Sequence, residues 1–552
     1  MCICAPHRAG GLDLDERHRL ARVARLGRSA ADGRAAVRIE PEAARRDVTE
    51  SGIRRILIVT GVMAAALMQT LDSTITNVAL PTIQGNLGAS QEEGTWIVTA
   101  YTIAAIVVIP LTPWLQLRFG RRNYFVASIV GFTIASVVCG SAGSLTVLIA
   151  ARVVQGAFGG GLLATGQSIM RDTFPPKQLA LSQGIFALGA IMGPALGPPL
   201  GGILVDNYSW NLVFYINVVP GVFAAIVLLV MLRDPDAARK NPVDVVGVLL
   251  LAAGLGSMQY VLTEGEPHYW FADHITAVMA AVMAISLAGF VYWELFGTRN
   301  PVVDLRILRN RSVSAGTVLA LALGAAIFGS TYILPQFTQS LLGFTPSLSG
   351  DLFILRAVPI LLVTPIIIRL MGKVDARILL AAGFVLIAWG SVLQAGVTTS
   401  EAGFWSFGPA LIITGIGSAM LFTPLSIAVL GATTPQEGPK ATAFINLALQ
   451  LGGSISIAAL DVIIDQRWTF HSAIVGASAT LSSPVIRDFL QHADVDQLAT
   501  FVNGQAAILA YADATLAIAI VCAACVPLVL LMQKRKPPTA GAQAGPARPK
   551  VA

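Results

Sequence analysis

Leu71-Asp72-Ser73-Thr74-Ile75-Thr76-Asn77-Val78-Ala79-Leu80-Pro81 is a polar run near the end of an apolar stretch that begins after Arg54-Arg55. Counted from Ile56 at about 1.5 Å per helical residue, Asp72 lies roughly 25 Å into a hydrocarbon layer about 30 Å thick. An ionisable side chain at that depth is costly, so it faces a bundle interior or wet cavity and marks an ion or substrate path. The competing reading is an acid near a helix end that reaches the headgroups. Gln69, Asp72, Ser73 and Thr76 are spaced three and four apart, which predicts one shared helix face.

The surrounding chain supports a membrane setting. Of 552 residues, 55% are hydrophobic and 12% charged, and the mean hydropathy is +0.70. That composition excludes a soluble globular protein and predicts an all-α polytopic membrane protein. The net charge of +6 resides mostly in short loops between apolar runs. It reads as a topology signal and not as a nucleic-acid surface. Five cysteines imply no disulfide framework, and Cys522 and Cys525 in the last apolar run read as small core residues. No metal-ligand or catalytic spacing stands out; His471 and His492 read as lone surface histidines.

About fourteen apolar runs of spanning length follow one another from Ile56 to about residue 532. The segments 1–53 and 533–552 read as cytoplasmic tails, the first rich in Arg and Ala and disordered, the second basic. Loops expected inside hold Arg118, Arg121, Arg122, Arg171, Lys177, Arg299, Arg306, Lys373 and Lys440; those expected outside hold Glu92, Glu93, Asp206, Glu264, Glu266 and Asp273. Both termini are therefore expected in the cytoplasm. The stretch 461–510 reads as the one sizeable outward loop, with a short amphipathic helix within 488–510.

Four motifs carry more specific information. Pro113-Trp114-Leu115-Gln116-Leu117-Arg118-Phe119-Gly120-Arg121-Arg122 is a basic hairpin between the second and third spans. Its Arg118, Gly120, Arg121 and Arg122 resemble the signature loop of major facilitator transporters, although Pro113 and Leu117 replace that motif's glycine and aspartate. Arg152 and Gln155 lie in the fourth span, with Arg152 about 10 Å below the expected outer surface and so at a depth near that of Asp72. The two could pair or compete for a water cavity; an arginine snorkelling outward is the alternative. In the fifth span, Gly189, Gly193, Gly197 and Gly201 recur every four residues as a flat ridge, beside Pro194, Pro198 and Pro199. Close approach and a kink suit a helix that rocks against a neighbour, and static packing explains the ridge equally. The stretch resembles the antiporter signature of drug exporters.

Together with the Asp72 run, Trp210-Asn211 and Phe214-Tyr215-Ile216-Asn217, these motifs resemble the fourteen-span drug:proton antiporters of the major facilitator superfamily, EmrB/QacA type, over residues 55–533. The resemblance implies two six-helix bundles, 54–232 and 312–532, joined by a 233–311 linker with two additional spans. It implies a bacterial inner-membrane location and export of lipophilic compounds against protons, with no cofactor beyond the proton gradient. It further implies proton coupling through Asp72 and Arg152, and partnership with a membrane-fusion adaptor and an outer-membrane channel. Gln69, Ser73, Thr76, Asn77, Gln155, Asn446 and Gln450 are the candidate cavity residues. Asn446 and Gln450 belong to a polar stripe, Thr442-Asn446-Gln450-Ser454, that serves either substrate contact or interhelical hydrogen bonding. Leu449 stands where the family pattern often has arginine, which favours neutral or cationic cargo. Arg356 reads as an outer-gate or snorkelling residue; Tyr332, Gln336 and Gln339 as an exit path; Phe328 and Phe422 as cavity aromatics. Uptake of a specific metabolite and a membrane-embedded enzyme are the alternatives. The scattered histidines and acids offer the latter no grouped site.

Overall fold

The computed structural model describes residues 50–233, 244–266, 269–298, 301–371, 373–434, 436–478, 488 and 494–532. Most of both tails and His492 lie outside the described residues. Among those described, fourteen helices are long and apolar enough to cross a membrane. Spans 1 to 6 are Gly52–Leu87, Glu93–Phe119, Arg121–Gly140, Leu145–Thr173, Leu179–Asn207 and Leu212–Met231. Spans 7 and 8 are Val245–Glu264 and His274–Gly297. Spans 9 to 14 are Arg311–Ser340, Pro346–Leu370, Ala376–Val397, Phe404–Leu430, Gly438–Ser478 and Val495–Leu531. The first helix starts at Gly52, two residues inside the segment expected as tail.

Short local signals set the helix boundaries. Ser90 and Glu93 form a capping box at the start of span 2, Ser90 Oγ accepting from the Glu93 amide and Glu93 Oε2 from the Ser90 amide. Between spans 2 and 3 the chain turns on one residue, Gly120, with φ +83°, a conformation that side chains with a Cβ rarely adopt. Just after that turn the basic motif fastens the end of the bundle. Arg121 pairs with Asp172 at the end of span 4, and Arg122 donates to the Leu229 carbonyl near the end of span 6.

Within the first half, span 1 packs on spans 5 and 6, span 2 on span 4, and span 3 on spans 4 and 6. The second half repeats this scheme, with span 9 on spans 13 and 14 and span 12 on spans 10 and 11. Two seams join the halves: span 5 against span 10, and span 2 against span 13. Spans 7 and 8 stand outside this pair. Leu251 and Leu255 of span 7 and Phe290 of span 8 cluster with Ile106 and Leu111 of span 2, and span 8 is the least buried of the fourteen.

The start of the 461–510 segment departs from the loop expected there, while its end is helical within the 488–510 stretch expected to hold a helix. Span 13 continues as helix to Ser478, and span 14 begins at Val495, so 461–478 and 495–510 are helical. The sequence misleads because polar residues interrupt the apolar pattern after Leu460. Those polar groups are paired: Asp513 of span 14 accepts from Arg467 at 2.5 Å and lies 2.7 Å from His471 Nε2. His471 is therefore one corner of an interhelical ion cluster and not a lone surface residue.

Candidate functional site

Span 1 presents its polar residues on two adjacent ridges where the spacing predicted one face. Asp72 and Thr76, four apart, point into the first half; Gln69 and Ser73, also four apart, point toward the second. Neighbouring positions such as 72 and 73 differ by about 100° around a helix, enough to separate two environments.

The inner ridge ends in a closed polar cage. Asp72 and Arg152 are both 0% exposed, and Arg152 Nη1 lies 2.6 Å from Asp72 Oδ2. Asp72 Oδ1 accepts from Gln155 Nε2 at 2.8 Å and from Asn217 Nδ2 at 2.7 Å. Arg152 also donates to Gln155 Oε1 at 2.7 Å and to the Ile97 carbonyl at 3.0 Å. Ser136 closes the cage, 2.7 Å from Gln155 Nε2. The Tyr101 ring lies under the guanidinium at 4.2 Å, a geometry that favours a desolvated cation. Spans 1, 4 and 6 thus meet on one carboxylate, and spans 2 and 3 hold its partners. Asp72 and Arg152 pair, the first of the two arrangements their depth allowed. Gln155, expected in the cavity, belongs to this cage instead; Thr76 turns its hydroxyl to the Asp72 carbonyl; Asn77 is exposed. Sequence reading names Asn217 only within a motif and passes over Ser136 and Tyr101. A single amide or hydroxyl in a span carries no distinctive signal until the fold supplies its partner.

The outer ridge opens on a central cavity. Gln69, Thr70 and Ser73 of span 1 line it together with Pro194 of span 5; the second half contributes Phe328, Phe353, Arg356, Phe422, Asn446, Leu449 and Gln450. Gln69, Ser73, Asn446, Gln450 and both expected aromatics are therefore wall residues. Asn446 also reaches across the seam to Gln167 of span 4 at 3.0 Å. Gln167 in turn donates to Ser426 at 2.9 Å and to Gln183 at 3.1 Å, forming a neutral amide latch between the halves. Tyr332 and Gln336 are tied to Asp461 and Tyr511 rather than facing the cavity.

Leu449 does line the wall, yet the one charged residue among the lining side chains is Arg356, and no aspartate or glutamate is among them. Arg356 faces the cavity from the second half instead of snorkelling.

The glycine ridge of span 5 lies on span 1 within the same half. A Cβ on Gly193 would overlap Thr70 Oγ1 and come within 2.6 Å of the Leu71 nitrogen; one on Gly197 would overlap Thr74 Oγ1. Gly189 has only ordinary contacts with Met63, and Gly201 meets Ile75 and Val78. The seam between the halves is on another side of span 5, where Pro198 and Pro199 abut Gly350 of span 10.

Two helical halves around a shared cavity, with a sealed carboxylate beside it, are the architecture of a polytopic membrane transporter, not an enzyme. A family model described as Major Facilitator Superfamily matches residues 62–481, and the chain belongs to that superfamily. The multidrug export protein EmrB of Escherichia coli K12 is 32% identical over 438 residues, covering 78% of this chain and 85% of that protein. The fatty acid resistance protein FarB of Neisseria gonorrhoeae is 31% identical over 441 residues, covering 78% and 84%. Among solved structures, a bacterial homolog of the human lysosomal transporter Spinster, inward-facing and unoccupied, aligns with a TM-score of 0.54 at 15% identity. It covers 88% of this chain and 98% of that one and attests a shared fold.

Proposed function

We propose that the protein exports lipophilic small molecules across a bacterial inner membrane in exchange for protons. The single observation that carries this reading is the fully buried Asp72 carboxylate, held by Arg152, Gln155 and Asn217 one helical ridge away from the cavity wall.

An ion pair in such surroundings survives because each charge has lost its water and found a partner; removing one partner leaves the other uncompensated at several kcal/mol. Protonating Asp72 does this chemically. It leaves the Arg152 guanidinium without its counter-charge, and spans 1, 4 and 6 then relax to a different packing. Gln69 and Ser73 ride on span 1, so that relaxation reshapes the cavity wall. The Gln69 carbonyl oxygen and the Tyr101 hydroxyl, both buried, provide polar atoms for water between cavity and cage. An inward proton releases about 2.3 kcal/mol per 100 mV of membrane potential, which drives export in the opposite direction. The basic loops are assigned to the cytoplasm, with both termini on that side. The names of the EmrB and FarB relatives, which concern multidrug export and fatty acid resistance, support export as the direction and lipophilic compounds as the cargo. A membrane-fusion adaptor and outer-membrane channel are partners by family resemblance.

The test is proton release in everted vesicles. Vesicles energised by respiration and carrying the wild type should lose part of their pH gradient when ethidium, tetraphenylphosphonium or decanoate is added, and vesicles with Asp72→Asn at equal protein level should not. A variant that still exchanges protons for any of these compounds would sink the assignment of Asp72.

A further inference from the structure

Arg356 and Arg152 are both buried intramembrane arginines, but their surroundings differ. Arg152 has a carboxylate, an amide and a backbone carbonyl as acceptors. Arg356 is 7% exposed and makes one hydrogen bond, a long one of 3.4 Å to Ser418 Oγ. No carboxylate among the described residues pairs with it. An arginine in a membrane interior is expensive unless an anion or a set of acceptors meets it. The guanidinium offers five N–H donors in a planar fork suited to a two-oxygen anion, and Arg356 is one of the residues that line the cavity.

The rest of the wall completes the specification. Phe353, one turn before Arg356, joins Phe328 and Phe422 in an apolar, aromatic surface beside the charge. The polar side chains facing them, Gln69, Asn446 and Gln450 among them, are neutral. The nearby carboxylate of Asp72 is sealed in its own cage and does not project negative charge into the space. We infer that the cavity binds amphiphilic organic monoanions, with a carboxylate-type headgroup on Arg356 and the apolar body against Phe353 and Phe422. The substrate class follows from a cation without a counter-ion at the edge of an apolar chamber. The inference deepens the export reading for transport direction, but binding itself stands independently of proton coupling.

The experiment compares three probes sharing one tail: decanoate, decanol and decyltrimethylammonium. Equilibrium binding is measured at pH 8 with the full chain in lipid nanodiscs, empty discs being subtracted for partition. The wild type should bind decanoate at least tenfold more tightly than either other probe. Arg356→Gln should weaken decanoate at least tenfold while leaving decanol unchanged, which also shows that the variant is folded; Arg356→Lys should restore part of the decanoate preference. Three outcomes overturn the inference: a wild type without preference for the anion, a preference unaltered by Arg356→Gln, or equal loss of all three probes together with failure of Arg356→Lys to restore any preference. No gradient is present, so a failure of proton-driven export in the vesicle test would leave this result unaffected, and the reverse also holds.

Discussion

Arg152 and Asp72 stand out in the sequence by themselves, because a charge inside an apolar run is anomalous wherever it occurs. Their supporting atoms do not. Asn217, Ser136 and Tyr101 are ordinary members of their spans, and Gln155, expected in the cavity, sits in the cage because its position in a span does not say which neighbour stands beside it. The cage makes a sharp prediction. Arg152→Met strands a buried carboxylate and should destabilise the protein by about 3–5 kcal/mol, read as a large fall in the thermal unfolding temperature of purified protein. Asp72→Asn combined with Arg152→Met removes both charges and should recover most of that loss. If the double variant is as unstable as the single, the pair is not the unit the geometry describes.

Spans 1 and 5 show what can be learned from small residues at the scale of an element. The four-residue glycine repeat announces a close helix contact, but a repeat cannot name the partner, and the contact proves to be with span 1 of the same half. Two of its glycines differ in a way that can be tested. Gly193→Ala meets both a side-chain oxygen and the Leu71 backbone nitrogen at 2.6 Å, whereas Gly197→Ala meets chiefly the Thr74 hydroxyl, with the Ile75 nitrogen at 3.2 Å. Each single substitution should cost about 1–3 kcal/mol through overpacking. Thr74→Ala should relieve much of the Gly197→Ala cost, and Thr70→Ala should relieve little of the Gly193→Ala cost. Thermal unfolding of the single and paired variants separates these expectations, and equal rescue at both sites would contradict them.

Across the whole molecule, fourteen spans are countable from hydropathy alone because each run is predominantly apolar and long enough to cross. Pairing of spans across the two seams is invisible there, since it depends on residues hundreds of positions apart. The segment after Leu460 shows the same limit: its charges signal solvent, although they face each other across two helices. One long-range link at the basic face also sets a pH response. Burial pushes the Asp304 carboxyl up, yet the hydrogen bond and charge of Lys440, at 2.8 Å, together with the amide and charge of Arg306, outweigh it and hold its pKa below the ordinary carboxylate value. A lowered folded-state value means stability that is full above the unfolded-state pKa and is lost as the pH falls through the lowered one. For a partly exposed pair this is worth about 0.2–1 kcal/mol. Lys440→Met should therefore be less stable than wild type at pH 7 by that amount, and the gap should close in acid; a gap unchanged from pH 7 to pH 3 would refute the link.

Span 13 has a mechanical consequence. It carries Asn446 and Gln450 in the cavity wall and continues unbroken to Ser478, braced on span 14 by Arg467, His471 and Asp513. The roughly 28 residues from Gln450 to Ser478 amount to about 42 Å of rod. A tilt of about 10° at the latch would swing the far tip by about 7 Å. The tip is a pointer on a dial: a spectroscopic label on Ser472, far from both cargo and cage, would register each opening and closing of the chamber without touching either.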